Sequence, residues 1–102
     1  MKKLILIVML VLMVAPSYAA DLDTCKSFEG LAVAIAEARY RGVAISESMD
    51  IARDFGKTED TFTLLKAMVI AAYKLPDYSS SENQSKAAVS YGNEIYMLCI
   101  QN

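Results

Sequence analysis

The sequence predicts an all-α protein: a small four-helix bundle-like domain that is held by one disulfide and follows a cleaved signal peptide. Three observations lead to this prediction. Apolar residues recur at helical spacing along the chain after residue 20, and neither a Ser/Gly linker nor a repeat divides it. An unbroken apolar run lies close to the N-terminus. Two cysteines lie near the two ends of the chain that follows this run.

Residues 1–19 have the features of a bacterial export signal. A basic start precedes the run Leu4–Ala15, which contains no polar residue, and the small residues Ser17 and Ala19 follow it. The run is shorter than the roughly 20 residues that cross a bilayer, and cleavage after Ala19 yields a single mature domain, residues 20–102. An uncleaved membrane anchor is the alternative. We therefore expect a periplasmic or secreted protein.

The pair Cys25 and Cys99 predicts a disulfide, because an even number of cysteines in an oxidising compartment is most simply paired. A lipoprotein anchor at Cys25 is disfavoured, since Asp21 and Asp23 stand where lipidation signals have small uncharged residues. The bond closes a loop of about 75 residues, which the chain-entropy model values at about 4.5 kcal/mol. It also requires the first and last helices to be antiparallel neighbours, because bridged α-carbons lie within about 7 Å.

The first helix is predicted from Thr24 to Arg41, with Asp23 as its N-cap and Gly42 just past its end. Its apolar residues recur at spacings of three and four, which places them on one face. They are Cys25, Phe28, Leu31, Ala32, Ile35 and Ala38.

A short second helix is predicted from Glu47 to Phe55. Ser46 is its expected N-cap and Gly56 ends it. The residues expected to face inward are Met49, Ala52 and Phe55.

The third helix is predicted to begin at Thr58 and to reach Leu75, where Pro76 stops it. Glu59 and Asp60 follow the cap, where negative charge complements the helix dipole. The apolar stripe of this helix consists of Phe62, Leu65, Val69 and Ala72.

The fourth helix is predicted from Ser80 to Ile100, because the segment 79–82 has the serine and glutamate of a capping box. Gly92 lies inside it, where glycine costs roughly 1 kcal/mol relative to alanine. Close packing against another helix is the favoured explanation. The inward residues are Ala88, Tyr91, Ile95 and either Leu98 or Cys99.

The charge of the mature chain argues against nucleic acid and anionic lipid as partners. Because Lys2 and Lys3 lie in the signal, the mature chain keeps 8 of the 10 basic residues with all 12 acidic ones, a formal charge of −4. Both kinds of partner require clustered Lys and Arg, and no block of like charge occurs.

Catalytic and metal-binding patterns are largely missing from the sequence. It contains no histidine, which excludes Ser-His-Asp and Cys-His catalysis and most zinc sites. The cysteines are not arranged as Cys-x-x-Cys, and no glutamate has the Asp or Cys nine residues later that is typical of phage muramidases. We expect a protein that is not an enzyme and has neither a cofactor nor a metal site.

One carboxylate cluster leaves an alternative open. Glu47, Asp50 and Asp54 fall three and four apart on one face of the second helix, which suits a small carboxylate-dependent hydrolase or a divalent-cation binder. Salt bridges to the nearby Arg53 and Lys57 are the favoured explanation.

Tyrosine and arginine, which are enriched at binding hot spots, suggest a contact surface. Tyr73 and Tyr91 are expected to pack in the core with their hydroxyls at its rim. The candidate partner-binding residues are Arg39, Tyr40, Arg41, Tyr78 and Tyr96. Arg39 and Arg41 could instead simply complement the C-terminal end of the first helix.

Three stretches support a resemblance to known proteins: "LAVAIAEARYRG" after Cys25, "VIAAYKLPDYS" around Pro76, and "NEIYMLC" ending at Cys99. In these residues the chain resembles small exported proteins of proteobacteria and their phages whose role is largely uncharacterised. Its helical layout is also similar to that of periplasmic immunity proteins that neutralise type VI secreted amidases. Those proteins commonly have further cysteines and a proline beside the last one, which this chain lacks, so no inhibitory residue is transferred.

Export, a stapled scaffold and a tyrosine-rich surface together predict a non-enzymatic module that binds another periplasmic protein. An inhibitor or immunity factor for a cell-wall enzyme, or a phage exclusion factor, would fit this description. A membrane-tethered, lysis-associated protein is a third possibility, which retention of the signal would favour.

Overall fold

The computed structural model describes residues 22–101, so the predicted signal peptide and its cleavage site lie outside the described residues. Four α-helices and their connections form this part of the chain, and no strand occurs in it. They are α1 (Leu22–Tyr40), α2 (Ile45–Phe55), α3 (Glu59–Tyr73) and α4 (Ser81–Gln101). The predicted all-α, four-helix bundle-like fold is confirmed.

Helix α1 ends where the sequence predicts but begins earlier. Gly42 has a φ of +86°, and the amides of Gly42 and Val43 donate to the carbonyls of Arg39 and Ala38. These two bonds form a Schellman motif, which needs the left-handed conformation that glycine adopts without strain. The prediction of Asp23 as N-cap is wrong, because Leu22 is already helical and Asp23 lies in the first turn, where its charge still complements the dipole.

Helix α2 has no side-chain cap at its start. It begins at Ile45 after Ala44, so the prediction of Ser46 as N-cap is wrong, while Gly56 ends the helix as predicted. Phe55 was expected to face inward but is 63 % exposed, and the next residue, Gly56, packs closely on Phe62 of α3 instead. Ala52 is fully buried as expected.

Helix α3 begins as predicted, since the Thr58 hydroxyl accepts a hydrogen bond from the Thr61 amide at 3.2 Å. It ends at Tyr73, two residues before the predicted Leu75. Pro76 lies shortly after this end, where a helix cannot continue through it.

Helix α4 is capped one residue later than the capping box predicts. The Ser80 hydroxyl accepts from the Asn83 amide at 3.1 Å, and the helix begins at Ser81. Glu82, the expected second member of the box, instead forms an ion pair with Lys86 one turn on at 3.3 Å. The serine-rich segment therefore supplies the predicted cap in a shifted register.

The core of the domain is built mostly from small side chains. Among the described residues, Leu65 and Val69 of α3 are the two largest fully buried side chains, and most other core positions hold alanine. The buried alanines are Ala32, Ala36, Ala38, Ala52, Ala72 and Ala88. Small side chains let helices approach closely, but each buries little apolar area, so this core contributes little stability per residue.

Helices α1 and α4 form the most extensive contact in the domain, and the predicted disulfide joins them. Cys25 in the first turn of α1 is bonded to Cys99 in the last turn of α4, with the α-carbons 5.5 Å apart. The two helices are therefore antiparallel neighbours, as expected. Helix α3 packs on α1, and α2 packs mainly on α3.

Gly92 allows this close approach of α4 to α1. It is buried, and a β-carbon built on it would clash with the Val33 side chain and lie 3.3 Å from the Glu29 carbonyl oxygen. The predicted explanation, close packing against another helix, is confirmed.

Gly92→Ala is expected to lower the free energy of unfolding by about 1–2 kcal/mol. Forcing the helices apart costs about 1–3 kcal/mol, and the better helix propensity of alanine returns up to about 1 kcal/mol. Gly30→Ala on α1 is the matched control, because its β-carbon would meet nothing within 4 Å. It should raise stability by about 0.5–1 kcal/mol in the same urea titration, and equal signs for the two variants would contradict the explanation.

Candidate functional site

An apolar groove lies between α3 and α4 in the part of the chain that the structure describes. It has a volume of about 420 Å³. Helix α3 contributes Leu64, Ala67, Met68 and Ala71, α4 contributes Tyr91, Ile95, Leu98 and Cys99, and Phe28 of α1 completes the lining. This volume lies within the roughly 300–1,000 Å³ that is usual for binding sites, and such sites are mostly apolar.

The groove exists because α3 and α4 scarcely touch each other. Each packs on α1, and α4 is held against α1 by the close contact at Gly92 and by the disulfide. Leu64 and Leu98, which lie on opposite walls, are 51 % and 58 % exposed. The two leucine side chains therefore remain largely exposed to solvent across the groove.

The one hydroxyl in the lining is already engaged within the protein. Tyr91 is buried, and its hydroxyl donates to the Met68 carbonyl oxygen at 2.6 Å, which ties α4 to α3. Burial raises the pKa of Tyr91 to about 12, and the nearby Glu94 carboxylate adds to the rise. The lining therefore offers apolar contact and contains no histidine, carboxylate or free thiol for acid–base or nucleophilic chemistry.

The raised pKa of Tyr91 makes stability depend on alkaline pH. A group whose pKa is higher in the folded state than in the unfolded state stabilises the folded state at low pH. This contribution is complete below the unfolded pKa, near 10 for tyrosine, and is lost as the pH rises to the folded pKa, about 12 here. We expect the unfolding free energy of the wild type to fall between about pH 10 and 12. Tyr91→Phe should show a shallower fall and should lose about 1 kcal/mol at pH 7. Parallel pH profiles from urea titrations would contradict this assignment.

Two predicted partner-binding residues are engaged inside the protein. The Arg39 guanidinium donates to the Leu75 carbonyl oxygen at 2.8 Å and lies 3.6 Å from the Asp77 carboxylate. The Tyr40 hydroxyl donates to the Pro76 carbonyl oxygen at 2.7 Å, and the Arg39 guanidinium lies over the Tyr40 ring at 4.8 Å. We call this set of contacts the α1 clasp, because it joins the end of α1 to the loop between α3 and α4.

The other predicted partner-binding residues are divided between two ends of the molecule. Tyr78 lies in the loop between α3 and α4, where its carbonyl oxygen accepts a hydrogen bond from the Gln84 side chain. Gln84 also lines a pocket of about 240 Å³ beside the start of α4, together with Tyr40 and Arg41. Tyr96 lies near the disulfide, about 18 Å along α4 from Gln84 at 1.5 Å per residue. The structure therefore brings four of the five together and separates Tyr96 from them. Their role in binding stays a prediction.

The carboxylates of the alternative hypothesis stay apart from the groove. Glu47, Asp50 and Asp54 are all exposed on α2. Within residues 22–101, no three side chains of His, Cys, Asp or Glu are grouped so that they could hold a metal ion.

Sequence reasoning missed a buried polar link at the end of the core opposite the disulfide. Ser48 of α2 is buried, and its hydroxyl lies 2.8 Å from that of Tyr73, which donates to the Val43 carbonyl oxygen at 2.8 Å. Because Tyr73 has a single proton to give, Ser48 is the donor in their bond. The link joins α2, α3 and the connector after α1. The polarity of Ser48 gave no sign of this burial.

Comparison of the chain with protein-family models, with curated proteins and with solved structures finds no match. Among the described helices, none is both long and apolar enough to cross a membrane. The resemblances drawn from the sequence therefore stay predictions. The geometry of the groove and the chemistry of its lining are the basis for a functional proposal.

Proposed function

We propose that this protein is an exported, non-enzymatic module that binds another protein, and that its binding surface is the apolar groove between α3 and α4. The observation that supports this most is the pair of half-exposed leucines, Leu64 and Leu98, facing a cavity of about 420 Å³. Apolar concavities of this size are typical of binding sites. The apolar lining suits contact with a partner better than catalysis.

The partner element that fits this groove is an amphipathic helix. Both walls are helices whose backbone groups are satisfied internally, so the groove offers no strand edge for an extended peptide. A helix satisfies its own backbone bonds and needs only an apolar stripe to be covered. Laid between α3 and α4, it would complete the helix packing that these two helices leave unfinished.

This proposal places the binding surface away from the α1 clasp. Arg39 and Tyr40 would have to release intramolecular hydrogen bonds before the same donors could bind a partner. The leucines of the groove break no intramolecular hydrogen bond when a partner binds, and covering them removes apolar surface from water, which favours binding. Arg41, Tyr78 and Tyr96 remain candidates for additional contacts outside the groove.

The experiment compares capture of a partner by groove variants and a matched control. The chain is expressed in its source cells with a flexible affinity tag after Asn102, as the wild type, Leu64→Glu, Leu98→Glu or Ile51→Glu. Ile51 is 46 % exposed on α2 and does not line the groove, so it controls for the added charge. We expect the wild type and Ile51→Glu to retain the same protein, and both groove variants to lose it. Retention by all four variants, or by none, would contradict the proposal.

The identity of the captured protein decides between the finer functions. A peptidoglycan amidase or another cell-wall enzyme would favour an inhibitor or immunity factor, and enzyme assays with the purified pair would then show inhibition. A phage protein would favour an exclusion factor. The genes beside this one offer a first indication, because a toxin or amidase gene favours immunity and phage structural or lysis genes favour exclusion or lysis control.

A further inference from the structure

We propose that the groove is complete only while the Cys25–Cys99 disulfide is intact, so that reduction switches its binding surface off. This inference rests on the proposed function and adds a redox control to the same site.

Burial along α4 stops well before its C-terminus. The buried residues of this helix are Ala88, Tyr91 and Gly92. Beyond Gly92, Ile95, Tyr96 and Cys99 are half-buried, and the other residues up to Gln101 are exposed. Ile95 packs partly against the core, but most residues beyond it are exposed, and the disulfide is the strongest link between the last turn of α4 and the rest of the domain.

The first turns of α1 show the same pattern. From Leu22 to Leu31, Cys25 is the one buried residue, and Leu22 itself is largely exposed. Phe28 and Leu31 pack partly against the core, and the turn before them is joined to the end of α4 by the covalent bond, with the α-carbons 5.5 Å apart. Without this bond, we expect both ends to open while the middle of the α1–α4 contact around Gly92 persists.

The groove depends on the segment that would open. Four residues of these two helix ends line the groove: Phe28 of α1, and Ile95, Leu98 and Cys99 of α4. Helix α3 does little to hold the end of α4 in place, because the backbones of the two helices stay apart and the hydrogen bond from Tyr91 to Met68 lies before this end. The α3 wall itself would remain, since Leu65 and Val69 anchor that helix in the core.

The reducing step needs a dithiol, either a small molecule or an oxidoreductase. Cys25 has no exposed surface, whereas Cys99 is only half-buried, so we expect the attacking thiolate to bond to the Cys99 sulfur. The Cys25–Cys99 bond breaks and Cys25 leaves as a thiolate that takes up a proton. The second thiol of the dithiol then displaces Cys99, which is also protonated. Two electrons pass to the protein, and the dithiol ends as a cyclic disulfide.

Occupancy of the groove and reduction of the disulfide should oppose each other. Cys99 is part of the groove lining, so a helix lying in the groove covers the sulfur that the thiolate attacks. A partner that binds only the oxidised form also shifts the equilibrium toward it. The groove is then available in a compartment that keeps disulfides oxidised and absent in a reducing one, which would prevent binding before export.

Hydrogen exchange of the purified protein, followed by mass spectrometry, tests this inference without a partner. The oxidised protein is compared with protein reduced by dithiothreitol, and protein incubated with oxidised dithiothreitol is the control. After reduction, we expect amides in residues 94–101 to exchange within about tenfold of the rate of an unstructured peptide. Amides in residues 65–73 should remain protected by at least about a hundredfold.

Two results would overturn the inference. The two segments could lose protection together on reduction, which would show that the disulfide stabilises one cooperative unit. Alternatively, residues 94–101 could stay protected, which would show that packing alone holds this end.

The double variant Cys25→Ser/Cys99→Ser, measured in sucrose to favour the compact state, should reproduce the pattern of the reduced protein. These outcomes are separate from partner capture, so the dependence of the groove on the disulfide can hold while the proposed function fails, and the reverse.

Discussion

Replacing Cys25 or Cys99 by serine is expected to lower the free energy of unfolding by about 4 kcal/mol, near the upper end of the effect of a single disulfide. The bond joins residues separated by 74 positions, so its loss frees almost the whole described chain in the unfolded state. The folded state offers little to offset this, because alanine occupies half of the buried apolar positions. The loss is a large share of the roughly 5–15 kcal/mol of a small domain, but it leaves the core around α3 folded.

Urea titrations of the wild type, both single variants and the double variant measure this effect. Either substitution removes the same cross-link, so the three variants should lose similar amounts of stability. The wild type should also contain no free thiol when it is titrated under denaturing conditions. A loss below about 1 kcal/mol in all three variants, or reactive thiols in the wild type, would contradict the assigned role of the disulfide.

Leu65→Ala is expected to cost about 3 kcal/mol, whereas Leu64→Ala at the next position should cost less than about 1 kcal/mol. Leu65 is 1 % exposed in the core, and its truncation leaves a cavity that neighbouring alanines cannot fill. Leu64 is 51 % exposed and points into the groove, so its truncation removes few buried contacts.

This adjacent pair separates the structural role of α3 from its binding role. Thermal and urea unfolding should rank Leu65→Ala far below Leu64→Ala in stability. Capture of the partner should show the reverse order, at a temperature where both variants are folded, because Leu64 lines the groove and Leu65 does not. Equal losses of stability for the two variants would show that the wall of the groove is part of the core.

Helix ends were predictable where backbone chemistry decides them. Gly42 and Gly56 end their helices, and Thr58 caps α3 through its hydroxyl, because these effects act within a few residues. The caps predicted at Asp23 and Ser46 failed for a different reason. Both helices begin before the predicted caps: α1 is already helical at Leu22, and α2 begins at Ile45, after Ala44, without a side-chain cap.

The core was predictable along α3, where the apolar stripe is regular, and less so along α2. Phe55 is large and apolar yet exposed, while Ser48 is polar yet buried, because α2 is short and its contact with α3 selects other positions. The disulfide was predictable from the even number of cysteines together with the oxidising compartment that the predicted export signal implies. Its consequence, that α1 and α4 are antiparallel neighbours, followed directly.

The groove could not be predicted from the sequence. It depends on the distance between α3 and α4, which the packing of each helix on α1 determines, and periodicity does not encode such distances. Leu64 lies outside the predicted stripe of α3, and Leu98, one of two candidates for an inward position of α4, is 58 % exposed, while the other, Cys99, is half-buried. The predicted contact residues Arg39 and Tyr40, in contrast, have polar donors whose intramolecular acceptors lie 36 residues away along the chain.

Site-specific photocrosslinking is the most direct test that the groove binds a protein. A benzophenone amino acid replaces either Ala67, an exposed residue of the groove lining, or Ile51 on α2, which lies outside it. After irradiation in the source cells, position 67 should yield one crosslinked partner, and Leu98→Glu in the same chain should abolish it. Position 51 should yield none. Equal crosslinking from both positions, or a crosslink at position 67 that survives Leu98→Glu, would contradict the proposal that the groove between α3 and α4 is the binding surface.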